Sequence, residues 1–263
     1  MIVDAHTHLL PEGLARAIRA FFDRHIADGI DYPYLCDGVL VAVQAAGAER
    51  CWSLPYVRRP DAAAELNRWM AETFADRDDV VPGATVHPGD DVGEVVAEAC
   101  DALGARLFKL HCSVGDFAAD DARLDPLWSA VSQSGQPVVV HAGHATDGTT
   151  AAAEIEPIAR VAERWPDARI VVAHCGAPAV AETLALVRRS RSVYADLAPV
   201  VTDLVPLVRE DLAGIERRIL FGSDAPNVCV PIEAGIARVR ALGLTPEDEA
   251  AVLGGTAEAL TLS

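Results

Sequence analysis

Eight short apolar runs, spaced so that a helix fits between successive ones, constrain this chain more than any other feature. They are 2–8 (IVDAHTH), 50–54 (RCWSL), 80–86 (VVPGATV), 105–111 (ARLFKLH), 137–142 (PVVVHA), 169–174 (RIVVAH), 192–197 (SVYADL) and 218–224 (RILFGSD). Their length and β-branched content mark them as strands. Several are apolar on both faces, as parallel strands covered by helices must be. Eight β-then-α units in 263 residues predict an α/β fold, a (β/α)8 TIM barrel, as one domain over 1–263. A doubly wound sheet fits less well, because no GxGxxG follows the first run. Residues 11–34 are extra material after strand 1. On a barrel they open onto the active face, and with Phe21, Phe22, Tyr32 and Tyr34 they are expected to form a lid or pocket wall.

The polar residues gather at the ends of these runs. Of eight histidines, six (His6, His8, His87, His111, His141 and His174) sit at or just past a predicted strand end, and Asp224 ends the last strand. The C-terminal rim of a barrel is where its chemistry is done. Strand alternation puts Ile2, Asp4, His6 and His8 on one face, Leu107, Lys109 and His111 on another, then Val139 with His141, Val172 with His174, and Leu220 and Gly222 with Asp224. Turning those faces inward collects five histidines, a lysine and an aspartate at one mouth. Imidazole with carboxylate suits zinc and similar divalent ions. His111 is expected to line the substrate pocket. His87 and His144 have weaker claims, Asn227 is placed to brace the strand-8 loop, and Arg58 and Arg59 read as a solvated pair.

Composition narrows the partners. A formal net charge of −17 argues against nucleic acid or an anionic membrane surface. No apolar run approaches the roughly 20 residues that span a bilayer, and MIVDAHTHLL lacks the basic start and cleavage site of a secretory signal. Six cysteines without a CxxC read as free thiols in a reducing cytoplasm. A small-molecule substrate is the expected partner, with homo-oligomerisation left open.

The segments DAHTH (4–8), FKLH (108–111), DDARLDPLW (120–128), PVVVHAG (137–143), VVAHCG (171–176), ILFGSDAPN (219–227) and VLGGTAEAL (252–260) together resemble the amidohydrolase superfamily. More narrowly they resemble its amidohydrolase-related (amidohydrolase 2) branch, which also contains aminocarboxymuconate-semialdehyde-type decarboxylases. The resemblance implies a divalent metal, expected to be zinc and one per chain, held by His6, His8, His141 and Asp224. It implies catalytic roles for Asp224, which takes the proton of the metal-activated water, and for His174, which orients or polarises water and substrate. The activity it implies is metal-dependent hydrolysis of a small amide, lactone or ester. The alternative on the same ligands is decarboxylation or hydration of a small aromatic or unsaturated carboxylic acid.

Lys109 is the only lysine among 22 basic residues. In two-metal members of the superfamily a strand-4 lysine becomes a carbamate bridging the ions, which arginine cannot do because it cannot be deprotonated. In the one-metal reading Lys109 stays an ammonium, held by Asp224 or by a substrate carboxylate. Both stay open in the sequence.

Overall fold

A computed structural model describes residues 1–25, 32–143, 150–198, 207–228 and 230–262. Its strands are β1 (Val3–Thr7), β2 (Arg50–Ser53), β3 (Val80–Pro82), β4 (Ala84–Thr85), β5 (Phe108–Leu110), β6 (Val138–Val140), β7 (Ile170–Val172), β8 (Val193–Asp196) and β9 (Ile219–Leu220). Neighbours pair in chain order, and every pairing is parallel. The run 80–86 is broken into β3 and β4 at Gly83. Its N–H donates to the Ser53 carbonyl at 2.9 Å, while Ala84 donates to Leu107 at 2.9 Å. A Cβ at residue 83 would lie 2.8 Å from Leu107 Cδ1 and 2.9 Å from the Ser53 oxygen, so only glycine lets the chain pass there.

The last strand returns to the first. Ala5 donates to Phe221 at 2.9 Å, Asp224 to His6 at 2.8 Å and His8 to Ala225 at 2.8 Å. A Cβ at residue 222 would lie 2.7 Å from His6 Cβ, so Gly222 permits this approach. The architecture is the (β/α)8 barrel that the alternation predicted.

Two apolar shells follow from strand alternation. Val138 and Val140 face the helices and Val139 the barrel interior; Phe108 and Leu110 likewise face out and Leu107 in. Helices cover the outer shell. The helix Asp125–Ser134 begins with proline in its first turn and stops at Gly135, whose φ is +77°.

Two inward faces differ from simple alternation. On β7 the interior residues are Val171 and Ala173, and Val172 packs outward. His174 still reaches the mouth because His174 and Cys175 take left-handed backbone (φ 58° and 47°), which turns the chain at the strand end. On β1 the interior residues are Val3 and Ala5, with Ile2 packing outward. A register shift between Asp4 and Thr7 then re-aims the end of the strand.

The described part of segment 11–34 includes the helix Glu12–His25. Its Ala15, Ile18 and Arg19, with Tyr34, line a cleft against His8, Pro226 and Asn227. Residues 26–31, His144 and Cys229 lie outside the described residues. Cys36, Cys51, Cys100, Cys112 and Cys175 are free. Among the described residues no helix is long and apolar enough to cross a membrane.

Candidate metal centre and active site

Three ligand-type groups converge at the closure of the barrel. His8 Nε2 lies 3.1 Å and His6 Nε2 3.6 Å from Asp224 Oδ1. His6 and His8 come from β1 and the residue after it. Asp224 follows β9 and takes a left-handed φ of 61°, a strained geometry for a non-glycine residue that is concentrated at functional sites. His6 is fully buried, whereas the Asp224 side chain keeps 14% of its exposure.

The other ring nitrogen of each histidine shows what this triad lacks. His8 Nδ1 lies 2.7 Å from the Leu54 carbonyl, which can only accept, so Nδ1 carries a proton. His6 Nδ1 lies 2.9 Å from Asp196 Oδ2. Burial, reinforced by Lys109, holds His6 well below the ordinary histidine range, so its ring carries a single proton. Burial raises the Asp196 carboxyl, but His174, Lys109 and two backbone N–H groups favour its ionised form, which accepts that proton's hydrogen bond. His6 Nε2 is therefore a bare lone pair facing a carboxylate, with no hydrogen-bond partner among the described residues. A proton on His8 answers one of these contacts. A divalent cation between His6, His8 and Asp224 answers all of them.

His141 is set up in the same way. His174 Nδ1 donates to the Ala198 carbonyl. Burial lowers the pKa of His174, against the pull of Asp224 and Asp196, and leaves its Nε2 bare. His141 Nδ1, 3.1 Å away, donates to that atom. Burial, then His111 and His174, keep His141 neutral too, and its Nε2 is buried without a partner among the described residues. His141 lies outside the His6–His8–Asp224 triad but presents the same bare nitrogen. Neutral imidazole with Nδ1–H held by a neighbour is the form that ligates metal.

Lys109, on β5, is fully buried, and its Nζ has no hydrogen-bond partner among the described residues. Burial pulls its pKa down to about 8, while Asp196 and Asp224 resist the fall. Asp4 is also buried; its Oδ1 accepts from Ser223 N at 2.9 Å and His6 N at 3.2 Å, and burial raises its pKa to about 7. At Asp224 burial opposes ionisation, but His8, His6 and His174 outweigh it and hold the carboxyl below its usual range.

Rings form one wall of the mouth. His111 stacks on His141 with centroids 3.8 Å apart, and Tyr56 meets both His8 (5.3 Å) and His111 (4.9 Å). The remaining sequence candidates fall elsewhere. His87 spends both ring nitrogens on backbone groups, Gly115 O at 3.1 Å and Gly89 N at 3.0 Å, and so has a packing role. Arg58 and Arg59 are exposed. Asn227 N donates to Asp224 O at 2.8 Å and braces the turn. Two residues escaped the sequence reading, Tyr56 and Asp196. Asp196 had a legible signal, a carboxylate ending an otherwise buried strand.

From residue 3 to residue 260 the sequence matches the amidohydrolase family known as amidohydrolase 2. The chain belongs to that family. No curated protein matches the sequence. Solved structures of the same fold include an uncharacterized TIM-barrel protein from Bordetella bronchiseptica (TM-score 0.78, 22% identity, 98% of this chain and 97% of that one). Another is a 2,6-dihydroxybenzoate decarboxylase complexed with 2,6-dihydroxybenzoate (TM-score 0.76, 16% identity, 100% and 99%). A third is a 5-carboxyvanillate decarboxylase from Novosphingobium aromaticivorans complexed with manganese and 4-hydroxy-3-methoxy-5-nitrobenzoic acid (TM-score 0.75, 14% identity, 100% and 96%). At these identities the likeness is one of fold.

Proposed function

We propose that this amidohydrolase-family chain is a divalent-metal-dependent decarboxylase of a small hydroxylated aromatic carboxylic acid. His6, His8, His141 and Asp224 would hold one metal ion. The observation that carries the choice of an acid substrate is Lys109: a buried amine without a hydrogen-bond partner among the described residues, at the mouth, whose charge an anion would answer. Asp196 and Asp224 favour the ammonium only from a distance, and a neutral amide, lactone or ester adds no further counter-charge. Hydroxybenzoate decarboxylases among the solved structures of this fold add support, so this alternative stands above the hydrolase expectation. The wall of Tyr56, His111 and His141 suits a flat ring.

Decarboxylation replaces a carbon–carboxylate bond with a carbon–hydrogen bond, so the site must bind the acid, exclude bulk water and hold a proton near the ring carbon. A bound divalent ion supplies Lewis-acid polarisation of substrate oxygens. Lys109 pairs with the anion in its ammonium form. Asp224, more exposed than His6 or His8, is the group placed to exchange a proton with substrate. His174 keeps His141 in its ligating tautomer through the 3.1 Å contact and lies beside His6, ring centroids 4.8 Å apart.

The test is a panel of hydroxybenzoates incubated with the protein reconstituted with manganese or zinc, with carbon dioxide release followed directly. Release that stops with chelator is the expected result. Hydrolysis of lactones or esters by the same preparation, with no carbon dioxide from any acid, would return the assignment to the hydrolase class.

A further inference from the structure

Asp196, at the end of β8, joins the two histidine pairs of the mouth. It is fully buried. Its Oδ1 accepts two backbone hydrogen bonds, from His174 N at 2.9 Å and Ala198 N at 3.1 Å. Its Oδ2 is left for one partner, His6 Nδ1 at 2.9 Å. The residue it anchors, Ala198, supplies the carbonyl that takes the proton of His174 Nδ1. Both bare Nε2 atoms, on His6 and on His141, thus trace back to this carboxylate, one directly and one through Ala198 and His174.

We propose that Asp196 is a positioning residue that fixes the tautomer of His6, so that Nε2 is presented bare toward His8 and Asp224 as a metal ligand. The inference rests on the metal-centre reading above. A purely structural role would need only the two backbone contacts at Oδ1. The third contact, to His6, is the one that selects a tautomer, because a carboxylate oxygen can only accept. A carboxylate behind a ligating histidine is a recurrent device for orienting the ring and raising its basicity.

Asp196→Asn separates the two roles while keeping shape and volume. The two backbone N–H groups still require oxygen at their end of the side chain. The amide NH2 must then face His6. An NH2 donates, so His6 Nδ1 has to accept, and the ring proton moves to Nε2, where it obstructs the metal. In a titration of the full chain with manganese, followed by electron paramagnetic resonance of the free ion, affinity should fall about 10–100-fold. The far-UV circular dichroism and the Tm of the metal-free protein should stay close to wild type.

The tautomer itself is read without metal. Ring 15N shifts of His6 in the metal-free wild-type chain should show Nδ1 protonated and Nε2 bare, and Asp196→Asn should exchange them. Manganese affinity equal to wild type in a folded Asp196→Asn protein overturns the proposal. So does a wild-type His6 that carries its proton on Nε2, a result that decides the matter even if the variant does not fold. Failure of the wild-type chain to bind manganese or zinc would instead overturn the metal-centre reading, and the 15N measurement keeps the two failures apart.

Discussion

Two layers of the same barrel interior differ in what they ask of the protein. The lower layer, built from residues such as Trp52, Leu54, Leu107, Val139, Val171 and Leu220, is apolar and buried. The upper layer lies two residues further along β5 and β6 and contains Lys109 and His141, with His6, His174 and Asp196 beside them, all buried as well. Apolar contacts complete the first layer. The second is left with bare nitrogens, an amine without a hydrogen-bond partner among the described residues and a carboxylate facing lone pairs, each costly to bury unless something answers it. Equal burial with opposite chemistry separates a core from a candidate site: one stabilises the fold alone, and the other keeps polar groups that a cation and an anionic ligand would answer.

His8→Ala should disturb the upper layer most. It removes one corner of the triad, and metal content and activity should both fall below detection while the fold is kept, which elemental analysis and circular dichroism will show. Retention of metal at the wild-type level would remove His8 from the ligand set. The matching change below is Leu107→Ala. A cavity in the apolar layer should cost about 2–5 kcal/mol of stability, read as a lowered denaturation midpoint, with metal content unchanged.

Lys109→Met sharpens the contrast by making an upper-layer position resemble the lower one. The folded-state pKa of about 8 lies below the ordinary lysine value of 10.5, so the wild-type fold binds this proton less tightly than the unfolded chain does. Below pH 8 burial of the ammonium therefore costs stability, and the cost fades as pH rises from 8 to 10.5. Metal-free Lys109→Met should be more stable than wild type at pH 7, by roughly 3 kcal/mol at most, and the gap should close toward pH 10.5. Its kcat/KM for the acid substrate should fall, chiefly through KM. Unchanged KM would separate Lys109 from the substrate.

At Asp4 the expected effect is a pH-dependent change in stability. Burial raises its pKa from 3.8 to about 7, so the fold loses stability as pH climbs through that range. Asp4→Asn should raise the Tm of the metal-free protein at pH 8 and leave it near wild type at pH 4. An equal shift at both values would mean that the carboxyl is not the source.

Much of this was legible in the sequence because it depends on local pattern. Strand runs, the HxH pair of His6 and His8, and polar residues at strand ends follow from period and position alone, and they gave the barrel and its mouth. What was hidden depends on backbone turns or on distant partners. Parity sent Val172 and His174 to one inward face, but the interior residues are Val171 and Ala173, and a left-handed turn brings His174 back. The register shift in β1 is set by its pairing with β2. The Asp196 contact to His6 spans 190 positions of sequence, and no local periodicity encodes such a pair.

On the proposed reading the upper layer holds a single metal ion. Metal content per chain after reconstitution with excess manganese or zinc and removal of unbound ion tests it most directly. About one ion per chain, lost in His8→Ala, is the expected result for a site closed by three histidines and a carboxylate. No bound ion would contradict it. Two ions per chain would contradict it as well and would make Lys109 the carbamate bridge between them.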